Sequence, residues 1–221
     1  MERFRAFWVN LWSPFANLLI KWGVSPNTVT VVGTLGVVAG AVIFFPTGHL
    51  LTGVLVITAF VFSDIIDGYM ARTTGNVSLY GSFLDSTLDR IGDAAIFGGL
   101  AMYYVGPGDK HWVAAVAIYC IGMGATTSYA RAKAESLGMT ANVGIAERGD
   151  RLVITLVTTG FAAGLHSFGL PAWILWAIPV MLCYMAFAST VTVIQRIYVV
   201  HVQSREITRA QKAAAAADAE G

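Results

Sequence analysis

Four aspartates stand in the run Asp64-x2-Asp67-Gly68-x2-Ala71-Arg72-x8-Gly81-x3-Asp85-x3-Asp89, inside sequence that is otherwise apolar enough for a membrane. A charged side chain at bilayer depth costs at least ~2.5 to 3.5 kcal/mol on insertion scales, so four together require compensation, and a bound cation supplies it. Asp64 and Asp67 are spaced i,i+3 and Asp85 and Asp89 i,i+4, so each pair projects from one helical face. Two antiparallel helices can then present all four carboxylates to one point. Hard oxygen donors with no His or Cys nearby suit Mg2+, Mn2+ or Ca2+ and argue against zinc. Four negative charges suit two divalent ions better than one, an arrangement used in phosphoryl and phosphodiester transfer. Gly68 and Gly81 remove side chains where a phosphate or nucleotide would approach a helix backbone, and Arg72, one turn beyond Gly68, reaches an anion held by the metals. Two other readings compete. One is a salt-bridged polar core, in which Arg72 and Arg90 neutralise two aspartates at most. The other is a cation or proton pathway through a transporter. Neither accounts for the glycines and Arg72 at fixed offsets.

The elements that must position these residues are legible from hydropathy. The 221-residue chain is 56% hydrophobic, with a mean hydropathy of +0.66, which excludes a soluble domain of this size. Apolar runs near the ~20 residues needed to cross hydrocarbon occur at 27–46, 50–72, 82–105, 112–133, 151–168 and 172–200. They are continuous rather than alternating. The expectation is therefore an all-α, polytopic integral membrane protein with six transmembrane helices. Residues 1–22, with Arg3 and Arg5 beside Phe4, Phe7, Trp8, Leu11, Trp12, Phe15, Leu18 and Leu19, predict an N-terminal amphipathic helix in the interface rather than a signal peptide. The domain division is then 1–22 interfacial helix, 23–203 membrane domain and 204–221 cytoplasmic tail, whose Ala-rich end past Lys212 reads as a frayed helix or disorder. Cys120 and Cys183 fall mid-span and read as buried packing residues, not a disulfide.

Basic residues set the orientation. Of fourteen Lys and Arg, only Lys110 lies clearly on the far side, in the Gly106–His111 turn. The positive-inside rule places both termini, the Arg72 loop and the loop between Arg131 and Arg151 in the cytoplasm, and the aspartates open to that face. A net charge of +1 says little, because the sign asymmetry across the membrane carries the information that the total hides, and no nucleic-acid partner is expected. Arg131, Lys133, Arg148 and Arg151 gather at the cytoplasmic ends of the fourth and fifth spans, and Arg196 is partly buried in the sixth. For Arg131, Arg205, Arg209 and Lys212, topology and contact with anionic headgroups is the favoured reading. For Lys133, Arg151 and Arg196 it is a pocket for an anionic acceptor such as a phosphorylated alcohol.

The run from Asp64 to Asp89 resembles, at every defined position, the signature of the CDP-alcohol phosphotransferase family. That resemblance implies six transmembrane helices, a homodimer, and transfer of a phosphatidyl or similar group from a CDP-linked donor to an alcohol with release of CMP. By position it implies that Asp64, Asp67 and Asp85 hold a first metal ion and Asp64, Asp85 and Asp89 a second, with Mg2+ as the cofactor and Mn2+ a substitute. Asp89 is similar to the family's general base. Gly68, Arg72, Ser78 and Gly81 match donor positions, and Asn27-Thr28-Val29-Thr30 after Pro26 matches an N-terminal donor stretch.

The segment Asp85-Ser86-Thr87-Leu88-Asp89-Arg90 lacks the proline and lysine typical of glycerol-phosphate-using members. The Ser128–Glu135 run, Glu147-Arg148-x2-Arg151-Leu152 and Gln195-Arg196 look like the actinobacterial phosphatidylinositol phosphate synthases. This implies CDP-diacylglycerol as donor and inositol phosphate as acceptor, held by Lys133, Arg151 and Arg196 with Arg131 and Arg148 nearby; whether Arg131 or Lys133 faces the pocket stays open. Glycerol 3-phosphate, free inositol and serine are the alternative acceptors.

Overall fold

A computed structural model describes the backbone of residues 2–75, 78–145 and 147–220, and side chains between 12 and 212 within those stretches. Among the described residues every regular element is helical. The chain runs α1 (Glu2–Lys21), α2 (Pro26–Phe44), α3 (Leu50–Val61), α4 (Ser63–Thr73), α5 (Leu79–Val105), α6 (His111–Ser136), α7 (Arg148–Ser167), a 3-10 turn (Ala172–Trp176) and α8 (Ala177–Glu220).

Local chemistry explains several boundaries. Pro26 begins α2, where a missing N–H costs nothing, and the Ser25 hydroxyl accepts from the Thr28 N–H at 3.1 Å. Ser78 caps α5 in the same way, accepting from the Gly81 N–H at 2.9 Å. The apolar run expected over 50–72 is one continuous helical run, Leu50–Thr73, with a single-residue interruption at Phe62 between α3 and α4, which restarts at Ser63. That restart places Asp64 in the first turn of α4, where the helix dipole favours a carboxylate.

Helices α2, α3, α5, α6, α7 and α8 share one apolar core that includes Val37, Ala41, Ile57, Ile96, Leu100, Val113, Ala117, Leu182 and Met185. Gly99 lets α5 approach α2 so closely that a Cβ there would lie 2.6 Å from the Ala41 carbonyl oxygen. Gly33, Gly36 and Gly40 face Ser63, Phe60 and Ile57, so they serve packing between α2 and the α3–α4 run of the same chain. A smaller cluster, Ala16 with Ile66 and Met70, docks α1 onto α4, with Trp12 stacked 5.6 Å from Phe62. The α1 side chains before Trp12, including Arg3, Arg5, Phe4, Phe7, Trp8 and Leu11, lie outside the described residues.

Four helical runs are long and apolar enough to cross a membrane: Pro26–Phe44, Leu50–Thr73, His111–Ser136 and Ala172–Lys212. Neither α5 nor α7 meets that measure, because α5 carries Asp85, Asp89, Arg90 and Asp93 and α7 opens on Arg148, Asp150 and Arg151. The last helix continues through Glu220 where a frayed end or disorder was expected, although side chains at 213, 214 and 216–221 lie outside the described residues. Cys120 is buried with its thiol 3.6 Å from the Leu182 carbonyl, but Cys183 is exposed, contrary to the expectation of two packed thiols. The reason is helical register: Leu182 takes the inward position, which turns the next residue out.

Candidate active site

Helices α4 and α5 bring the first three aspartates together. One carboxylate oxygen each from Asp64, Asp67 and Asp85 lies within 4.8 Å of the other two. Asp67 is buried, Asp85 half-buried and Asp64 exposed, so the cluster is backed by protein and open on one side. From α2, Thr30 donates its hydroxyl hydrogen bond to Asp67 Oδ2 at 2.6 Å. Burying a carboxylate against two others without a cation is unfavourable. The cluster therefore fits a divalent metal ion, and its all-oxygen donor set matches Mg2+ or Mn2+.

Asp89 lies one turn farther along α5 and is engaged differently. Arg148 Nη2 stands 2.5 Å from Asp89 Oδ1, and Arg90 Nη2 stands 3.8 Å from Asp89 Oδ2. Asp93, another turn on, accepts a hydrogen bond from Arg151 Nη2 at 2.9 Å and forms an ion pair with Arg148, whose Nε stands 3.6 Å away. The expectation that Arg72 and Arg90 alone were available to neutralise aspartates is corrected here, because α7 delivers two further arginines from sequence positions about sixty residues away. The carboxylates thus divide into a cluster of three that makes no ion pair among the described residues, with Arg148 beside Asp64 in the same cleft, and a pair joined to α7 by ion pairs. A narrow cleft lined by Asp64, Asp89, Asp93 and Arg148 joins the two groups.

The residues expected at the donor separate by contact. A Cβ on Gly81 would lie 3.1 Å from Ser78 Oγ and 3.2 Å from Asn27 Oδ1, so the starts of α2 and α5 meet there. Gly68 lies under the Arg72 guanidinium, which stands 3.6 Å from where a Cβ would be. Thr28 hydrogen-bonds Ser25 at its own helix start, Val29 packs against the Ala16–Ile66–Met70 cluster, and Thr30 braces Asp67. Of the four-residue stretch, Asn27 and Thr30 face the site.

Beside Asp89 a cavity of about 790 Å3 opens between α5, α6, α7 and α8, with Arg90, Arg131, Arg148, Arg151 and Arg196 in its lining. Arg131 lines it and pairs with Glu135 at 3.0 Å; Lys133 is exposed and is not part of the wall. Arg196 is 4% exposed and donates from Nε to the Val143 carbonyl at 2.9 Å and from Nη1 to the Thr127 carbonyl at 2.5 Å. Among the described residues it forms no ion pair, and Glu135 and Glu147 share the cavity lining with it. Two contributors were not read from the sequence. Asp93 continues the i,i+4 series of Asp85 and Asp89, a signal present but passed over. Gln203 clamps the α6–α7 loop by giving and receiving hydrogen bonds with the Thr140 backbone, at 2.6 and 3.0 Å, and nothing local in the sequence marks that role.

The profile of the CDP-alcohol phosphatidyltransferase family matches residues 23–183. The chain belongs to this family. Among curated relatives of this CDP-alcohol phosphatidyltransferase, the phosphatidylinositol phosphate synthase of Streptomyces avermitilis is 50% identical over 218 residues, covering 98% of this chain and 88% of that one. The synthase of Cutibacterium acnes is 47% identical, covering 90% and 97%. Among solved structures, the Mycobacterium tuberculosis phosphatidylinositol phosphate synthase with CDP-DAG bound superposes with a TM-score of 0.79 at 34% identity, over 86% of this chain and 94% of that chain. The same enzyme in complex with manganese and citrate gives 0.76 at 35% identity, over 85% and 87%.

Proposed function

We propose that this membrane enzyme transfers a phosphatidyl group from CDP-diacylglycerol to a hydroxyl of inositol phosphate, giving phosphatidylinositol phosphate and CMP. The observation that carries the reading is the cavity walled by five arginines, with Glu135 and Glu147 also in its lining, which adjoins the cleft of Asp64 and Asp89 through the shared Arg148. Such a wall suits a phosphate monoester, since guanidinium groups match phosphate oxygens in geometry and charge. The names of the relatives support the same acceptor.

Asp64, Asp67 and Asp85 are the ligands for a divalent ion, and Asp64, Asp85 and Asp89 the set for a second; Mg2+ is the cofactor and Mn2+ a substitute, in keeping with the manganese complex of the related enzyme. Bound there, divalent ions neutralise the pyrophosphate charge as CMP leaves. Asn27, Ser78 and Gly81 form a floor for the cytidine end of the donor, and Gly68 leaves room for its phosphates beneath Arg72. Asp89 accepts the proton of the attacking hydroxyl. Arg151 and Arg196, with Arg131 and Arg148 beside them in the cavity wall, hold the acceptor phosphate.

All six long helical runs cross the bilayer, with α5 and α7 admitted because their charges pair with one another inside the protein. The interfacial helix spans 1–22, the membrane domain 23–203 and the tail 204–221; both termini and the site face the cytoplasm, and the enzyme works as a homodimer.

CMP release by detergent-purified protein with Mg2+ and CDP-diacylglycerol, with inositol phosphate, glycerol 3-phosphate, inositol or serine supplied separately, tests the reading. Release with inositol phosphate alone is expected. Preference for an uncharged alcohol would remove the argument from the arginine wall.

A further inference from the structure

Arg148 and Arg151 stand three apart on α7, so their guanidinium groups share a face and repel one another. Between them lies one carboxylate. Asp93 offers Oδ2 to Arg151 at 2.9 Å and Oδ1 to Arg148 at 3.6 Å, so each of its oxygens faces a different arginine. Arg151 is 3% exposed and its Nη1 donates to the Gly124 carbonyl at 3.4 Å. Arg148 meanwhile stands 2.5 Å from Asp89. Asp93 is therefore the link through which an arginine in the wall of the large cavity and the arginine on Asp89 are set relative to each other. Both arginines line that cavity, whereas Asp93 lines the narrow cleft behind it and is not itself in the wall.

We infer that Asp93 is a positioning residue for the transfer, aligning Arg151 and Arg148 so that a phosphate monoester in the cavity is held in register with Asp89. The inference rests on the reading that the cavity receives a phosphorylated alcohol. Its chemistry is one of placement. A carboxylate elsewhere would supply the same charge, but Asp93 at this distance from α7 fixes Arg151 by a hydrogen bond and draws the Arg148 guanidinium toward the same point by charge. Displacement of a positioning contact by a methylene length changes the angle between the acceptor's phosphate and its hydroxyl, and misplacement of that order costs roughly 100-fold in rate.

The variants that separate placement from charge are Asp93→Glu, which keeps the charge and lengthens the side chain, and Asp93→Asn, which keeps the length and removes the charge. Kinetics with inositol phosphate and CDP-diacylglycerol, and thermal protection of the metal-loaded protein by inositol phosphate alone, give two independent readouts. Both variants are expected to lose roughly 100-fold in kcat/KM for inositol phosphate, with the KM for CDP-diacylglycerol changed by no more than about twofold. Thermal protection by inositol phosphate should fall in both, while protection by CDP-diacylglycerol persists. An Asp93→Glu protein with wild-type acceptor kinetics would reduce Asp93 to a counter-charge and overturn the inference. Equal loss toward donor and acceptor, or failure of both variants to fold, would make it a packing residue and overturn it equally. Wild-type protein that neither releases CMP with inositol phosphate nor is protected by it would instead sink the acceptor assignment, so the two failures are distinguishable.

Discussion

At the scale of single residues, the support beneath a ligand is as open to test as the ligand. Thr30 reaches from α2 to Asp67 Oδ2 at 2.6 Å and so fixes one carboxylate of the three-aspartate cluster. Outer partners of metal ligands typically contribute 10- to 100-fold in affinity, so Thr30→Val should weaken Mn2+ binding by roughly that factor while Thr30→Ser holds it near wild type, as measured by equilibrium titration. Asp89 carries a different expectation. Its position in the cleft beside the cavity suits a base, so Asp89→Asn should lower turnover by roughly 100-fold or more while CDP-diacylglycerol binding survives. Loss of both to the same degree would leave Asp89 a plain ligand. The signature residues were readable because their spacing is local: i,i+3 and i,i+4 pairs share a face wherever the helix goes. Arg148 and Arg151, which meet Asp89 and Asp93, come from another helix, and their pairing depends on packing that no local spacing encodes. Choosing between Arg131 and Lys133 likewise depended on the rotation of α6, which its weak amphipathic pattern leaves undetermined.

At the scale of elements, the close approach of helices carries the fold, and glycines report where it occurs. Gly99 on α5 faces the Ala41 carbonyl, a backbone atom that cannot rotate away, and an added Cβ would lie 2.6 Å from it. Gly99→Ala should therefore destabilise the protein by about 1 to 3 kcal/mol, the usual range for overpacking, read from denaturation in detergent. Gly122 on α6 has nothing within 4 Å of the corresponding position. There alanine should be neutral or stabilising by up to about 1 kcal/mol through helix propensity. An equal loss at both sites would mean that chain entropy rather than contact decides. Hydropathy located the helices well, and its single run over 50–72 matches the continuous helical run Leu50–Thr73, although an apolar composition does not disclose the interruption at Phe62. It also started the fifth run at 151, whereas α7 starts at Arg148. Charge at a helix start lowers hydropathy without preventing a helix when its carboxylate partners lie across the interface.

At the scale of the whole molecule, the open matter is whether charged helices cross. By composition alone four runs qualify, and α5 is excluded by the same aspartates that define the site. Yet α5 has 27 residues, about 40 Å of helix at 1.5 Å per residue, which exceeds the ~30 Å hydrocarbon core. Its charged half packs against α7 and its other half carries the apolar core residues Ile96, Phe97 and Leu100. Crossing and not crossing give opposite sidedness to its two ends. If α5 spans, Thr74, just before it, and His111, just after it, lie on opposite faces of the membrane; if it does not, they share one face. Both side chains are exposed. Thr74→Cys and His111→Cys, each in a background lacking Cys120 and Cys183, should therefore respond oppositely to a membrane-impermeant maleimide applied to intact cells. Labelling of the His111→Cys protein alone is the outcome expected of six spans with the aspartates facing inward. Labelling of neither, with both reacting only after lysis, would keep α5 on the cytoplasmic surface and would move the aspartate cluster out of the bilayer, removing the desolvation that makes a bound cation necessary there.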